Sequence, residues 1–128
     1  MIDTDTTTDG EERMTTGVVR RSTPGGTSEL AGAVLIIESP WDRLVGLWRL
    51  SRRDDVALVF EYQTRADRRV TALGMPVGID VIWLESRTVQ RVQTVGPWWG
   101  IGRYGADTVL ELPAGHASEV GPGDEIEW

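Results

Sequence analysis

The chain has 128 residues, a net charge of −7 and no cysteine, which suits one domain whose ordered part, roughly 100 residues, can bury its own core. The missing cysteine excludes disulfides and thiolate chemistry, and the single histidine, His116, argues against a histidine zinc site or a histidine-activated nucleophile. The acidic balance argues against nucleic-acid binding, which requires a basic surface, so we expect no metal, no cofactor and no nucleic-acid partner.

The first 29 residues are expected to form a disordered tail. Acidic and threonine residues dominate this stretch, and its few apolar side chains cannot offset the entropy that ordering would cost. Within the tail, Thr16–Arg20 is a candidate for a short edge strand. Residues 30–128 are expected to form a single β domain.

The first apolar run, Ala31–Ile37, is rich in β-branched residues and predicts a core strand. Because Arg20 and Arg21 precede the run, a twin-arginine export signal is the alternative. The run is short, Glu29 and Glu38 close it, and no small-residue cleavage site follows, so the strand is favoured. No stretch approaches the roughly 20 apolar residues of a membrane span. We therefore expect a cytoplasmic protein without a membrane partner.

A helix start follows this strand. Ser39 is a suitable cap, Pro40 suits the first helical position, and Asp42 lies where the helix dipole favours an anion. The pattern predicts a short helix over residues 40–45 that ends at Gly46. One face of this helix carries the apolar residues Trp41, Leu44, Val45 and Trp48, of which the tryptophans are expected in the core.

The most apolar run, Ile79–Leu84, carries one acidic residue and is bounded by Gly78 and Glu85–Arg87. It predicts a buried strand that pairs with residues 88–95 as an antiparallel hairpin. Further strands are predicted over residues 31–37, 56–62, 107–112 and 125–128, with a short extended piece over 70–73. Between them the pattern predicts arginine-rich turns over 49–55 and 64–69, a glycine and aromatic loop over 96–105, and a second short helix over 114–119. The arginines of the two turns are expected to pair with Asp54, Asp55 and Asp67 at the surface, and an anion or phosphate site is the alternative.

Many short strands separated by glycine and proline turns indicate a mainly β protein. We expect a small antiparallel β-sandwich or barrel with one or two short helices.

Four segments resemble motifs of one family. Glu38–Leu47 resembles "D-T-P-x-E-R-x-x-G-L-M", Val56–Phe60 resembles a "G-L-L-F" strand, and Leu73–Val81 resembles "W-M-x-N-T-x-x-P-L-D-I". Val109–Gly115, followed by Gly123 and Asp124, is similar to "Y-V-L-E-L-x-A-G … G-D-x-V". In this order, residues 33–128 resemble the domain of unknown function 192 family. The resemblance implies a compact, mainly β fold with no assigned activity, and it supplies no catalytic residue.

The chain departs from the family pattern in the third motif. Thr71, Ala72, Gly74 and Gly78 stand where the family usually has tryptophan, methionine, asparagine and proline, whereas Asp80 is retained. This polar and aromatic cluster is the part of the family pattern most suited to a function.

Asp80 is the most informative single residue because it lies within an apolar strand. A buried carboxylate must be hydrogen-bonded or paired. One interpretation is structural, in which Asp80 ties a turn or pairs with an arginine such as Arg43. The other is functional, as a ligand-binding or acid–base group, with Glu111 as a second candidate.

The aromatic residues of the glycine-rich loop are a second candidate site. Trp98 and Trp99, together with Tyr104, could stack on a sugar ring or a base. Alternatively, the loop folds over the end of the sheet and caps its core. The candidate ligand-binding residues are therefore Asp80, Arg43, Trp98, Trp99, Tyr104 and Glu111.

Three functions are considered. The first is a non-catalytic domain that binds a small molecule or serves as an accessory domain, because groups for nucleophilic and metal chemistry are few. The second is a hydrolase-type enzyme that uses Asp80 with a nearby arginine or with Glu111. The third is a structural module for protein interaction. The expected assembly is a monomer or a weak homodimer.

All 13 basic residues are arginine. This lysine-free, acidic and threonine-rich composition resembles that of proteins from salt-loving archaea. The alternative is a GC-rich genome, which favours arginine codons.

Overall fold

The computed structural model describes residues 14–15, 19–72 and 74–128, and over these the protein is mainly β with one helix. The elements are β1 (Met14–Thr15), β2 (Val19–Thr23), β3 (Gly26–Ala31), β4 (Val34–Ile36), α1 (Pro40–Ser51), β5 (Ala57–Thr71), β6 (Ile79–Glu85), β7 (Thr88–Val95), β8 (Ile101–Pro113) and β9 (Glu125–Glu127). The strands form one sheet in the order β1-β4-β5-β8-β6-β7-β9-β2-β3. The sheet is not closed into a barrel, so that alternative is wrong, and the mainly β prediction is confirmed.

The central strand is β6, as its apolar sequence predicts. Ile79–Leu84 is buried along its whole length, and the strand pairs antiparallel with β7 on one side and β8 on the other. The β6–β7 turn places Ser86 and Arg87 at φ 51 and 68, which lets a two-residue connection match the twist of the strands. The predicted hairpin is confirmed.

Alternation along β6 divides the interior into two cores, one on each face of the sheet. Ile82 and Leu84 belong to the core that also contains Leu110 and Leu112. Val81 and Trp83 belong to the other core, together with Leu50, Leu58 and Val109. Helix α1 lies on this second face, and Leu50 is its most buried residue.

Helix α1 begins as predicted but continues to Ser51 instead of ending at Gly46. Ser39 is in extended conformation and accepts a hydrogen bond from the Asp42 amide at 3.1 Å, while the Asp42 carboxylate accepts one from the Glu38 amide at 2.9 Å. Gly46 does not end the helix because its missing side chain lets the helix approach Leu58 closely.

The tryptophans of α1 are on the outside, which corrects the prediction that they are core residues. Trp41 is 69% exposed and Trp48 is 57% exposed. The Arg52 guanidinium lies over the Trp48 ring, 4.7 Å from its centroid. By contrast, Trp83 is fully buried, as predicted.

One predicted turn, part of one predicted loop and one predicted helix are different in the structure. Residues 64–69 are part of β5, which pairs with β8 on both sides of an irregularity between Glu61 and Ala66. Residues 101–105 are already strand β8 and not loop. Residues 114–119 form successive hydrogen-bonded turns and no helix. Asp80 of β6 holds this segment by accepting hydrogen bonds from the Gly115 and Ala117 amides. The segment is therefore fixed without the repeated backbone hydrogen bonds of a helix.

The predicted disordered tail does not hold for residues 19–29, which form the hairpin of β2 and β3. β2 also pairs with β9, so it lies inside the sheet and not at its edge. Arg21 of β2 pairs with the turn before β9, because its Nε donates a hydrogen bond of 2.8 Å to Asp124 Oδ2. Residues 1–13 and 16–18 lie outside the described part of the chain, and with them most of the predicted tail and the start of Thr16–Arg20.

The predicted first strand over 31–37 is shorter. Ala31 ends β3, and β4 covers Val34–Ile36, which pairs parallel with β5. Arg20 and Arg21 lie in β2 and the apolar residues after them lie in β3 and β4, so the segment considered as an export signal is part of the sheet. Among the described residues, no helix is both long and apolar enough to cross a bilayer.

Candidate functional site

A pocket of about 470 Å³ opens between the start of α1 and the sheet. Its floor is apolar and comes from β5 and β8, while the segment that leads into α1 forms one wall. Side chains of both charge signs surround the opening. The lining residues are Ile37, Glu38, Ser39, Pro40, Arg43, Phe60, Tyr62, Arg68, Arg69, Val70, Val109 and Glu111.

Glu111 is the buried polar group of this pocket. It lies in β8 opposite Leu58 of β5 and Val81 of β6, and only 3% of its surface is exposed. Its Oε1 atom has no hydrogen-bond partner. Burial raises the pKa of Glu111 from the ordinary 4.5 to about 7, although the charge of Arg43 lowers it. An unsatisfied buried polar atom costs free energy, so it requires a reason beyond packing.

Arginine side chains form the rest of the polar wall. Arg43 projects from α1, and Arg68 and Arg69 project from β5. Arg68 is held in place: its guanidinium lies 3.7 Å from the centroid of Tyr62 and donates hydrogen bonds to the Thr64 and Ala106 carbonyls. Arg43 and Arg69 are exposed at the opening, where their donors can reach a bound molecule.

Asp80 lies on the opposite face of the sheet. Its Oδ2 accepts hydrogen bonds from the Gly115 and Ala117 amides, both at 2.9 Å, and its Oδ1 accepts one from the Thr94 hydroxyl at 2.7 Å. The structural interpretation is therefore the one that its contacts support, through the turns at 114–119. Arg43 lies near Glu111 instead of Asp80, since it lines the pocket on the other face.

The aromatic candidates are at a different place. Trp98 is 51% exposed and Trp99 is 82% exposed, in the loop before β8, where the Trp98 amide donates to the Met75 carbonyl. Tyr104 lies three residues into β8, about 10 Å along the strand from Ile101, and its ring faces Arg91 at 5.7 Å. None of the three aromatic residues lines the pocket.

Of the six candidate residues, the structure thus brings together Arg43 and Glu111. Sequence reasoning favoured a salt-paired surface for Arg68 and Arg69 over an anion site because it placed them in a turn, and it missed the apolar floor. A signal for Glu111 was present, since Val109–Leu112 is an apolar run with one carboxylate, the same pattern that identified Asp80. Among the described residues, no three acidic or histidine side chains are grouped to hold a metal ion.

Comparison with known proteins gives one family and two similar structures. The model of the DUF192 family, described as an uncharacterized ACR, matches residues 21–128. No protein among those with curated descriptions matches the chain.

Two crystal structures share the fold. A protein from Sinorhizobium meliloti 1021, described as a proposed transcription regulator, is 26% identical with a TM-score of 0.69, over 85% of this chain and 90% of that one. A protein of unknown function from Novosphingobium aromaticivorans DSM 12444 is 19% identical with a TM-score of 0.68, over 87% and 84% of the two chains.

Proposed function

This chain belongs to the DUF192 family, and from that premise we propose that it is a non-catalytic domain that binds a small polar molecule in the pocket between α1, β5 and β8. The observation that carries the proposal is the carboxyl group of Glu111, which is buried in the pocket wall with one oxygen unpartnered. A rotation of the Glu111 side chain toward the pocket would let a ligand on the floor satisfy this oxygen. The pocket volume lies within the roughly 300–1,000 Å³ that is typical of small-molecule sites.

The contacts of Asp80 weigh against the hydrolase alternative in its original form. A carboxylate that already accepts two backbone amides and a hydroxyl has little free capacity for substrate or water. The enzyme alternative would therefore have to use Glu111, whose pKa of about 7 suits a general acid or base. Two hydroxyl side chains line the described part of the pocket: Ser39 caps α1, and the ring of Tyr62 lies against the Arg68 guanidinium. Neither has a general base beside it among the contacts of these residues, so binding is favoured over catalysis.

The test compares the two buried carboxylates. Glu111→Leu replaces the unpartnered carboxyl by an apolar group of similar size, so it should raise stability and weaken ligand binding at least tenfold. Asp80→Asn disturbs the hydrogen bonds of the turns, so it should lower stability and leave ligand binding unchanged. Binding is measured by NMR chemical-shift changes with small carboxylates, amines, sugars and nucleotides.

The expected result is that at least one compound class shifts the amide signals of residues 37–43, 60–70 and 109–111 in the parent chain and in Asp80→Asn. Signals that move only around Trp98 and Trp99 would favour the stacking platform. Binding that is lost in Asp80→Asn and kept in Glu111→Leu would contradict the proposal.

We also propose that the domain lies in the cytoplasm of a salt-rich cell, which its composition suits, and that it has no nucleic-acid or membrane partner. The net charge of −7 supports this, because a phosphate backbone repels an acidic surface. The transcription-regulator description belongs to the Sinorhizobium protein and is not extended to this chain. Recovery of the chain from the exported fraction of its cells, or tight binding to duplex DNA, would contradict the proposal.

A further inference from the structure

Building on the proposed function, we propose that the ligand of this pocket is a small monocarboxylate with an apolar body, and that Glu111 is protonated when the ligand is bound. The ligand carboxylate would lie at the arginine side of the opening and its apolar body on the floor. The inference rests on the charges of the pocket wall, the character of its floor and the position of the unpartnered oxygen.

The charges of the wall favour an anion. Three guanidinium groups line the pocket, those of Arg43, Arg68 and Arg69, against two carboxyl groups, those of Glu38 and Glu111. The wall therefore carries one net positive charge when Glu111 is ionised and two when it is protonated. Guanidinium groups also match the geometry of a carboxylate, to which they can donate two parallel hydrogen bonds.

The floor favours a ligand with an apolar part. Ile37, Phe60, Val70 and Val109 line the pocket. Val70 and Val109 are buried in the second core, so Ile37 and Phe60 supply the apolar surface that is still partly exposed. An inorganic anion would leave this apolar surface exposed to water. A carboxylate with a ring or a short chain would cover it, and the gain is roughly 25 cal/mol for each Å² that is removed from water.

The protonation state of Glu111 decides whether it attracts or repels a ligand carboxylate. The groups that line the pocket around it are Arg43 on α1, Glu38 before α1, and Arg68 and Arg69 on β5, while its neighbour on β6 is the apolar Val81. A protonated Glu111 can donate its O–H to a ligand carboxylate. An ionised Glu111 would repel it, so an ionised chain takes up one proton from solvent as the anion binds. The ligand stays a carboxylate throughout.

A cationic ligand fits less well. An ammonium group would need Glu111 in its ionised form, which burial disfavours, and it would lie among three arginines. Anionic and cationic ligands predict opposite pH dependence of the binding affinity. Binding of an anion becomes stronger as Glu111 is protonated, and binding of a cation becomes stronger as Glu111 is ionised.

The experiment uses three probes of nearly equal shape: phenylacetate, its neutral amide phenylacetamide, and the cation phenethylamine. Titration calorimetry with the full chain from pH 6 to 8.5, in two buffers of different ionisation enthalpy, measures affinity and proton uptake. We expect phenylacetate to bind at least tenfold more tightly than the other two at pH 6. Above pH 7 its apparent Kd should rise toward tenfold per pH unit, because one pKa unit corresponds to about tenfold in an equilibrium constant.

Two variants test the assignment. Glu111→Gln keeps an N–H donor without a titrating proton, so it should bind phenylacetate with a pH-independent affinity and no proton uptake. Arg43→Gln should weaken phenylacetate binding about tenfold through loss of a charged donor. Arg103→Gln is the matched control, because Arg103 is exposed, pairs with Asp67 at 2.9 Å and lies outside the pocket lining.

Stronger binding of phenethylamine than of phenylacetate, or a phenylacetate affinity that does not change with pH in the parent chain, would overturn the ligand class and leave the binding pocket intact. The ligand class would also be overturned if sugars or nucleotides bind at the pocket and no carboxylate does. No shift at the pocket residues with any compound class overturns the proposed function itself.

Discussion

At the scale of single residues, two buried carboxylates with the same sequence signature have different hydrogen-bonding environments. Asp80 and Glu111 each stand within an apolar strand, and each is almost fully buried. Asp80 accepts three hydrogen bonds from groups that it holds in place, whereas Glu111 keeps one oxygen without a partner. The first carboxylate stabilises the fold. The second costs free energy, which supports the proposal that it serves binding.

The raised pKa of Glu111 predicts how stability depends on pH. Between pH 4.5 and about 7 the folded chain keeps a proton that the unfolded chain has released. The free energy of unfolding therefore falls as pH rises through this window, by about 3 kcal/mol from this residue alone. In urea unfolding at pH 5 and pH 8, the parent chain should lose most of this amount relative to Glu111→Gln, because part of it is already lost at pH 5.

The control is Glu119→Gln, at an exposed position, which should show the same pH dependence as the parent chain. Asp124 does not disturb the comparison. Mainly its hydrogen bond with Arg21 holds the pKa of Asp124 below the ordinary 3.8. The stability that Asp124 contributes is therefore lost only as pH falls below the range of this experiment. Equal stability changes in Glu111→Gln and the parent chain would show that Glu111 titrates normally.

At the scale of elements, helix α1 has two faces with apolar residues, and only one of them packs on the sheet. Trp41, Leu44 and Trp48 form a larger apolar stripe than the face that is buried. The buried face contains Gly46 and Leu50, and a Cβ atom at Gly46 would lie 2.8 Å from both methyl groups of Leu58. Close approach of the backbone to the sheet therefore decides the orientation, and this orientation aims Arg43 at the pocket.

The close contact at Gly46 predicts a large effect of a side chain there. Gly46→Val should lower the free energy of unfolding by about 2–3 kcal/mol, because the core around Leu58 is filled and overpacking forces the helix outward. Urea unfolding followed by circular dichroism measures the change.

Leu44→Val is the control, at an exposed position of the same helix. It should cost only about 0.5 kcal/mol through helix propensity. A similar, small change in both variants would mean that the helix does not rest on Leu58, and the geometry of the pocket wall would then also be in question.

At the scale of the whole molecule, the sheet joins strands from distant parts of the chain. The Arg21–Asp124 pair links β2 to the turn before β9, and Val19, Leu30 and Ile126 join the same core. The exposed ion pairs, such as Arg65–Glu85, contribute little individually. Over the described residues, 15 acidic residues and 12 arginines leave a net charge of −3, and this excess acts as a self-repulsion that destabilises the compact state.

Salt should therefore stabilise the protein by screening this repulsion. Raising KCl from 0.1 to 2 M should increase the free energy of unfolding by about 1–2 kcal/mol, since the Debye length falls from about 10 Å to below 3 Å. The double variant Glu119→Gln, Glu125→Gln changes the net charge from −7 to −5, and its salt response should be smaller. Equal stability at both salt concentrations would contradict a destabilising charge repulsion in the folded state.

The sequence by itself determined the central strand Ile79–Leu84, its hairpin with β7, the cap at Ser39 and the family. These features depend on local polarity, turn residues and strand alternation, which neighbouring residues specify. Tertiary structure alone decided which face of α1 is buried, that residues 64–69 are strand, and that Arg43 meets Glu111 and not Asp80. The reason is physical: a pocket forms where distant elements fail to fill the space between them, and no local pattern records that gap.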